Sequence, residues 1–145
     1  SLTSITLPES PFYTIMSDNL LDGCSNLSNI TIPKYIVELQ SSALANCNLE
    51  NLTIPGNVKY IQFLAIGNNY NLKSITLNDG IEKLGEQFIR CAAITEISIP
   101  NSVTNMDSRV LHYCPNLKKI TIGKGITIIP VTMIENSQNV EEIII

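Results

Sequence analysis

The residues of this sequence best equipped for chemistry are four cysteines and one histidine: Cys24, Cys47, Cys91, Cys114 and His112. Thiolates and imidazole can hold zinc, and they can also act as a nucleophile with its base. Their spacing argues for something plainer. Each cysteine falls three residues (two for Cys47) before a phrase that recurs along the chain, and Asn69 and Ser137 fill the same place elsewhere. A place that accepts Cys, Asn and Ser reads as a column of small buried side chains that hydrogen-bond neighbouring backbone. Free cysteine is among the most buried residue types. A disulfide between Cys24 and Cys47, or between Cys91 and Cys114, stays open as an alternative, as in small secreted domains. Zinc would need Cys91, His112 and Cys114 to converge, and a fourth ligand is missing. His112, beside Tyr113, reads as a surface residue with no oriented partner for base catalysis. The sequence contains no G-x-G-x-x-G, G-K-[ST] or H-E-x-x-H pattern. Gly123-Lys124-Gly125 is a turn after a strand, and Glu141-Glu142 implies no pocket. The expectation is a non-enzyme with no cofactor and no metal.

The bulk composition sets the scale. The chain has 145 residues, 44% hydrophobic and 15% charged, with no Trp. That is one domain's worth of material, rich in branched aliphatics that pack well on a pleated sheet. The net charge is −4, with no basic patch to displace counterions from phosphate, so a nucleic-acid partner is not expected. No apolar run approaches the ~18 residues needed to span a bilayer, so membrane insertion is not expected. No signal peptide is visible at Ser1.

The elements that carry these residues are repeats. The phrase L-T-S-I-T-L-P begins at Leu2 and returns at Leu27, Leu49, Leu72, Ile94, Leu117 and, in part, Val140. The start positions 2, 27, 49, 72, 94, 117 and 140 give steps of 25, 22, 23, 22, 23 and 23. Nine residues on comes an aliphatic (Ile36, Val58, Ile81, Val103, Ile126), and three further on another (Leu39, Ile61, Leu84, Met106, Ile129). An apolar pair follows, such as Ala43-Leu44 or Phe88-Ile89. The first copy is two residues longer, which moves its equivalents to Phe12, Ile15, Leu20 and Leu21. The phrase is too short for a helix and mostly ends at Pro or Gly, so it reads as a short strand. One copy cannot bury its own apolar side, but stacked copies bury each other's. The strands should then lie parallel in one sheet, ~4.8 Å apart.

These copies resemble the leucine-rich repeats of the BspA-like (treponemal-type) class. Leu72, Ile75, Leu77, Ile81, Leu84, Gly85, Phe88 and Cys91 follow its pattern most closely, and the match runs from Leu2 to Ile145. Only Phe88 keeps the usual convex aromatic; Ala65, Val110 and Met133 replace it elsewhere. The resemblance implies a leucine-rich-repeat solenoid, a right-handed and mostly β superhelix of the α/β kind with about six and a half repeats. One parallel sheet of short strands would line the concave face, and irregular or short-helical returns the convex one. It also implies a non-catalytic adhesion or interaction protein, secreted or at the cell surface, that binds a protein or glycan. The alternative is a structural spacer or stalk in a larger surface protein or a viral or phage particle.

A binding face would lie between the core positions of the strands, which alternate sides. Its centre is a hydroxyl column: Thr6, Thr31, Thr53, Thr76, Ser98 and Thr121, ending at Ile144. Beside it run pairs that change from copy to copy, among them Asn29, Glu50, Asn51, Lys73, Glu96 and Lys119. The candidate partner-binding set is Asn29, Thr31, Glu50, Asn51, Thr53, Lys73, Thr76, Glu96, Ser98, Lys119 and Thr121. Thr also stacks well on itself in any sheet, and Lys118 and Lys119 can pair with Glu96, Glu141 and Glu142 across strands. Asn26, Asn29 and Asn51 head glycosylation sequons that the repeat itself generates. The chain stops in mid-repeat on Ile143-Ile144-Ile145 with no polar cap, so residues 1–145 read as one domain within a longer array, or as a unit that self-associates through an uncapped end.

Overall fold

The computed structural model describes residues 2–90 and 92–145. The chain winds into stacked coils, each with three sides. The first side carries the repeated phrase. It forms four-residue strands at β3 (Asn51–Ile54), β5 (Ser74–Leu77), β8 (Glu96–Ile99) and β11 (Lys119–Ile122), and a three-residue strand at β12 (Glu142–Ile144). The second side carries two-residue strands: β1 (Ile15–Met16), β2 (Glu38–Leu39), β4 (Tyr60–Ile61), β6 (Lys83–Leu84) and β9 (Asn105–Met106). The third side is made of turns, with two short strands, β7 (Ile89–Arg90) and β10 (Leu111–His112). All pairings are parallel.

Alternation fixes what faces inward. β3, β5 and β8 each bury their second and fourth residues and expose the others, as a period of two requires. The phrase starts Leu27, Leu49, Leu72, Ile94 and Leu117 are fully buried, together with Leu39, Ile61, Leu84 and Phe88. At the two ends Leu2 is exposed and Val140 is only partly buried. Burying a Leu or Ile side chain is worth about 1.5–3 kcal/mol, so the repeated inward column is the main source of stability.

Three expectations need correction. The returns contain no helix among the described residues. The cause is a left-handed residue in every coil at one position of the third side: Asn19, Ser42, Leu64, Gln87, Arg109 and Thr132. A second follows four residues later at Gly23, Asn46, Asn68, Tyr113 and Asn136. A left-handed residue every fourth position cannot continue a right-handed helix. The N–H groups reach forward to the next coil instead, as in Ser42 to Phe63, Leu44 to Ala65 and Asn46 to Gly67, at 2.8–3.1 Å.

The second correction concerns the first copy. Ile15 pairs with Glu38 and Met16 with Leu39, so Met16 fills the core position and Tyr13 stands where Ile36 does. Phe12 and Ile15 point outward. The extra residues lie before Phe12, within Glu9-Ser10-Pro11, and shift the copy by one more place than the apolar pattern indicated.

The third correction is that the long strands do not form one sheet. β3 pairs only with β5, and β8, β11 and β12 form a separate three-stranded group. The phrases at 2 and 27 carry no assigned strand. The continuous sheet is the short-strand one, β1-β2-β4-β6-β9. Coil length explains the breaks. Every long-strand pair has partners 23 residues apart: Asn51 with Ser74, Glu96 with Lys119, Lys119 with Glu142. The ladder is missing after both 22-residue copies and after the 25-residue one. In the 22-residue copies the corner into the next phrase is one residue short, the second because the β7–β10 register sets Ala92 opposite Cys114 and leaves Ala93 alone before Ile94. Asn48 alone joins Cys47 to Leu49, where Tyr70 and Asn71 join Asn69 to Leu72.

Candidate functional site

The exposed edge of the long strands is where the candidate residues sit. Thr31, Thr53, Thr76, Ser98, Glu50, Asn51, Lys73, Glu96 and Asn29 are exposed, and Thr121 and Lys119 are half-buried. Clefts indent this strip. Between the second and third coils lies a cleft of about 350 Å³, lined by Thr31, Asn51 and Thr53 over Ile30, Ile32, Leu52 and Pro55. Across the fourth, fifth and sixth coils lies one of about 300 Å³, lined by Thr76, Glu96, Ser98, Lys119 and Thr121, over the intact β8–β11 pairing as well as the break between β5 and β8. A smaller one of about 160 Å³ separates the first two coils, at Thr6, Glu9, Thr31 and Pro33. Eight of the eleven candidate residues thus line two clefts. Asn29, Glu50 and Lys73 stand outside both clefts. Pattern reading missed Pro33 and Pro55 as lining residues; the signal that could have found the breaks in the ladder was the alternation of 22- and 23-residue steps.

Where the ladder is intact, the variable positions pair with each other. Ser74 Oγ donates to Asn51 Oδ1 at 2.6 Å. Lys118 meets Glu141 at 3.2 Å and Lys119 meets Glu142 at 3.0 Å. These cross-strand pairs are exposed, and each is worth under about 1 kcal/mol.

The cysteine column is internal. Cys24 and Cys47 are free thiols, so no bond joins that pair. Cys47 is buried and its Sγ lies 3.2 Å from the Leu21 carbonyl, as donor. Asn69 Nδ2 donates to the Leu44 carbonyl at 2.9 Å, and Ser137 Oγ to the Leu111 carbonyl at 2.8 Å. Leu21, Leu44 and Leu111 occupy equivalent places, so Cys47, Asn69 and Ser137 satisfy the same carbonyl one coil earlier. Burial, with the Cys24 thiol beside it, pushes the Cys47 thiol up to about 11, far from a reactive thiolate at neutral pH. Cys91 lies outside the described residues. By the register of β7 and β10, the residue opposite Cys114 is Ala92, which is buried.

His112 departs from expectation. Its side chain is 13% exposed, with Glu135 3.8 Å from Nε2 and the Asn136 amide 3.1 Å from it. Burial and the nearby Arg90 hold its pKa below the usual histidine value. Arg109 joins Glu86 and Glu135 across three coils. Among the described residues, no group of three or more His, Cys, Asp or Glu is placed to hold a metal ion.

A family model described as BspA type leucine rich repeat region (6 copies) matches residues 1–108 and 43–145, and so the whole chain. The chain belongs to the BspA-type leucine-rich repeat family. A search of curated proteins found no match. Among solved structures, this BspA-type chain is similar to a leucine-rich repeat protein from Bacteroides ovatus ATCC 8483, at 16% identity and a TM-score of 0.48. That similarity covers 94% of this chain and 47% of the other, so the present chain spans about half of that protein's length. Among the described residues no helix is long and apolar enough to cross a membrane. Membership of this repeat family suggests a protein-interaction scaffold.

Proposed function

We propose that this BspA-type repeat protein is a non-catalytic adhesion scaffold, secreted or at the cell surface, that binds a protein or glycan through the face of its long strands. The observation that carries the reading is the strip itself. Hydroxyls form its constant centre, charged and amide residues form its variable edge, and both border clefts. A rigid scaffold keeps the ordering cost of such a surface low on binding.

The test is a binding screen of the full chain against immobilised extracellular-matrix proteins and a glycan array. The triple variant Lys73→Glu, Glu96→Lys, Lys119→Glu runs in parallel. Loss of at least about tenfold in affinity (~1.4 kcal/mol) for any ligand found supports the reading.

One observation favours a spacer instead. Asn51 with Ser74, Lys118 with Glu141 and Lys119 with Glu142 satisfy each other within the fold. On that reading the triple variant leaves every interaction unchanged and lowers stability slightly.

A further inference from the structure

The short-strand face divides into two unlike halves. From the third coil to the fifth it is tied by ion pairs, Lys59 with Glu82 and Lys83 with Asp107, and the sixth coil exposes Ile128 and Ile129. Across the first three coils it presents apolar side chains. Ile15, Glu38 and Tyr60 lie in one row across β1, β2 and β4. Ile15 and Tyr60 are 39% and 41% exposed, and Val37, beside Glu38, is 39% exposed. Phe12, three residues ahead of Ile15, is 95% exposed. A fully exposed phenylalanine three residues from exposed Ile15 is costly to leave in water, and exposed apolar patches mark interaction sites.

Charge says what would cover it. Residues 1–50 carry one lysine, Lys34, against Glu9, Asp18, Asp22, Glu38 and Glu50, a net of 1 − 5 = −4. Residues 51–145 carry eight cations and eight acids, a net of zero. Counted to the end of the third coil, residues 2–71, Lys59 joins Lys34 and the net is 2 − 5 = −3, so the coils that bear the apolar patch carry most of the protein's −4. Glu38 sits inside the row, and Asp18 follows β1 by two residues. Lys59, at the edge of the patch, is engaged by Glu82 and by the Gly80 carbonyl. A second copy of this acidic surface would repel the first, and so would an anionic bilayer.

We propose that the short-strand face of coils one to three docks a basic segment of a partner protein, with apolar residues seated on Phe12, Ile15, Val37 and Tyr60 and flanking Lys or Arg reaching Glu38 and Asp18. This surface is separate from the long-strand strip, and the two readings stand or fall independently.

The probe is a fluorescein-labelled heptapeptide of three central leucines flanked on each side by two lysines, followed by fluorescence anisotropy with the full chain. Its partner carries glutamates in place of the lysines. The expected result is saturable binding of the lysine peptide, at least about tenfold tighter than the glutamate peptide, and weakened at least about tenfold between 50 mM and 500 mM salt as screening shortens. Phe12→Ser with Val37→Thr should reduce binding at least about tenfold, and Glu38→Gln, which can still bond Gln62, several-fold. Lys83→Gln, on the other half of the face, should change nothing. Unaltered far-ultraviolet circular dichroism and melting temperature establish that the variants fold. Equal binding of both peptides, or equal binding by Phe12→Ser with Val37→Thr, overturns the proposal. So does absence of binding, a Phe12-dependent dimer in light scattering, or Phe12-dependent pelleting with phosphatidylcholine vesicles.

Discussion

Coils one to three and coils four to six are built on the same phrase, yet they hold their short-strand faces in different ways. The first three cover the core with Ile15, Val37 and Tyr60 and leave them in water. The fourth and fifth cover it with polar side chains, Lys83 pairing with Asp107 from coil to coil, and the sixth, past the end of the short strands, exposes Ile128 and Ile129. Beneath coils one to five runs one continuous ladder, β1-β2-β4-β6-β9. Folding is therefore secured by the buried column and the ladder, and the outer row is free to differ. In a solenoid each coil rests only on its neighbours, so the two halves can be perturbed separately.

The largest effect should come from the shared interior. Leu84 is fully buried in β6, between β4 and β9; Met16 is fully buried in β1, at the edge of the same sheet. Leu84→Ala should cost about 2–5 kcal/mol, and Met16→Ala should fall at or below the low end of that range, because an edge coil can relax around the void. Urea denaturation gives both numbers. Equal costs would show that the sheet edge is as constrained as its middle, and the independence of the two halves would fail.

Next comes the polar column. Asn69 is wholly buried, donates to the Leu44 and Ile66 carbonyls and accepts from the Leu49 N–H at 3.2 Å. Asn69→Ala should cost about 1–3 kcal/mol for the groups it strands. Ser137→Ala, at the far end, strands the Cys114 N–H and the Leu111 carbonyl and should cost less. Cys47→Ser keeps a donor for the Leu21 carbonyl and should stay within about 0.5 kcal/mol. An Asn69→Ala variant as stable as the parent would mean that the column is filled for size alone, as Ala92 fills it.

Much of this was legible in the sequence because the apolar periodicity is strong. Leu49, Leu52 and Ile54 are separated by residues that the pleat must expose, and their burial follows from that spacing. The column of Cys47, Asn69 and Ser137 was legible because three chemically different residues share one small volume. The returns were not. Asn19, Asn46 and Asn68 tolerate a left-handed backbone and hint at it, but Leu64, Gln87, Arg109 and Tyr113 adopt the same conformation with no local preference for it. Tertiary stacking imposes it, through N–H groups that bond to the next coil. The candidate strip was legible as a list of exposed residues. The breaks in its ladder were not, since they depend on one missing residue, as at the Cys47–Leu49 corner, whose effect on the ladder is geometric rather than chemical.

The outer rows should respond more weakly, and differently from each other. Arg109→Gln removes a cation shared by Glu86 and Glu135. These side chains are partly exposed, so the cost should be small and should shrink at high salt. Val37→Thr, on the apolar half, should lie within about 0.5 kcal/mol and show no salt dependence. Melting curves at low and high salt compare the two. A salt-sensitive Val37→Thr, or a salt-insensitive Arg109→Gln, would erase the distinction between the halves.

The finest contrast is one of pH, because the only histidine of the chain lies in the second half. Burial and the cations of Arg90 and Arg109 lower the His112 pKa below 6.5, against the opposing pull of Glu135 and Glu86. The unfolded chain thus binds this proton more readily than the native one. Stability should be level above the unfolded value near 6.5, fall as pH drops through it, and level off once the pH is below the native value. Keeping the pH above about 5.5 leaves the carboxylates charged and isolates this group. Hydrogen exchange at pH 7 and pH 5.7 should show loosening of β10 and its β7 partner while β2 and β4 keep their protection. His112→Asn should abolish the difference. A drop of equal size in β2, or one that persists in His112→Asn, would place the proton elsewhere and make the charged half no more pH-sensitive than the apolar one.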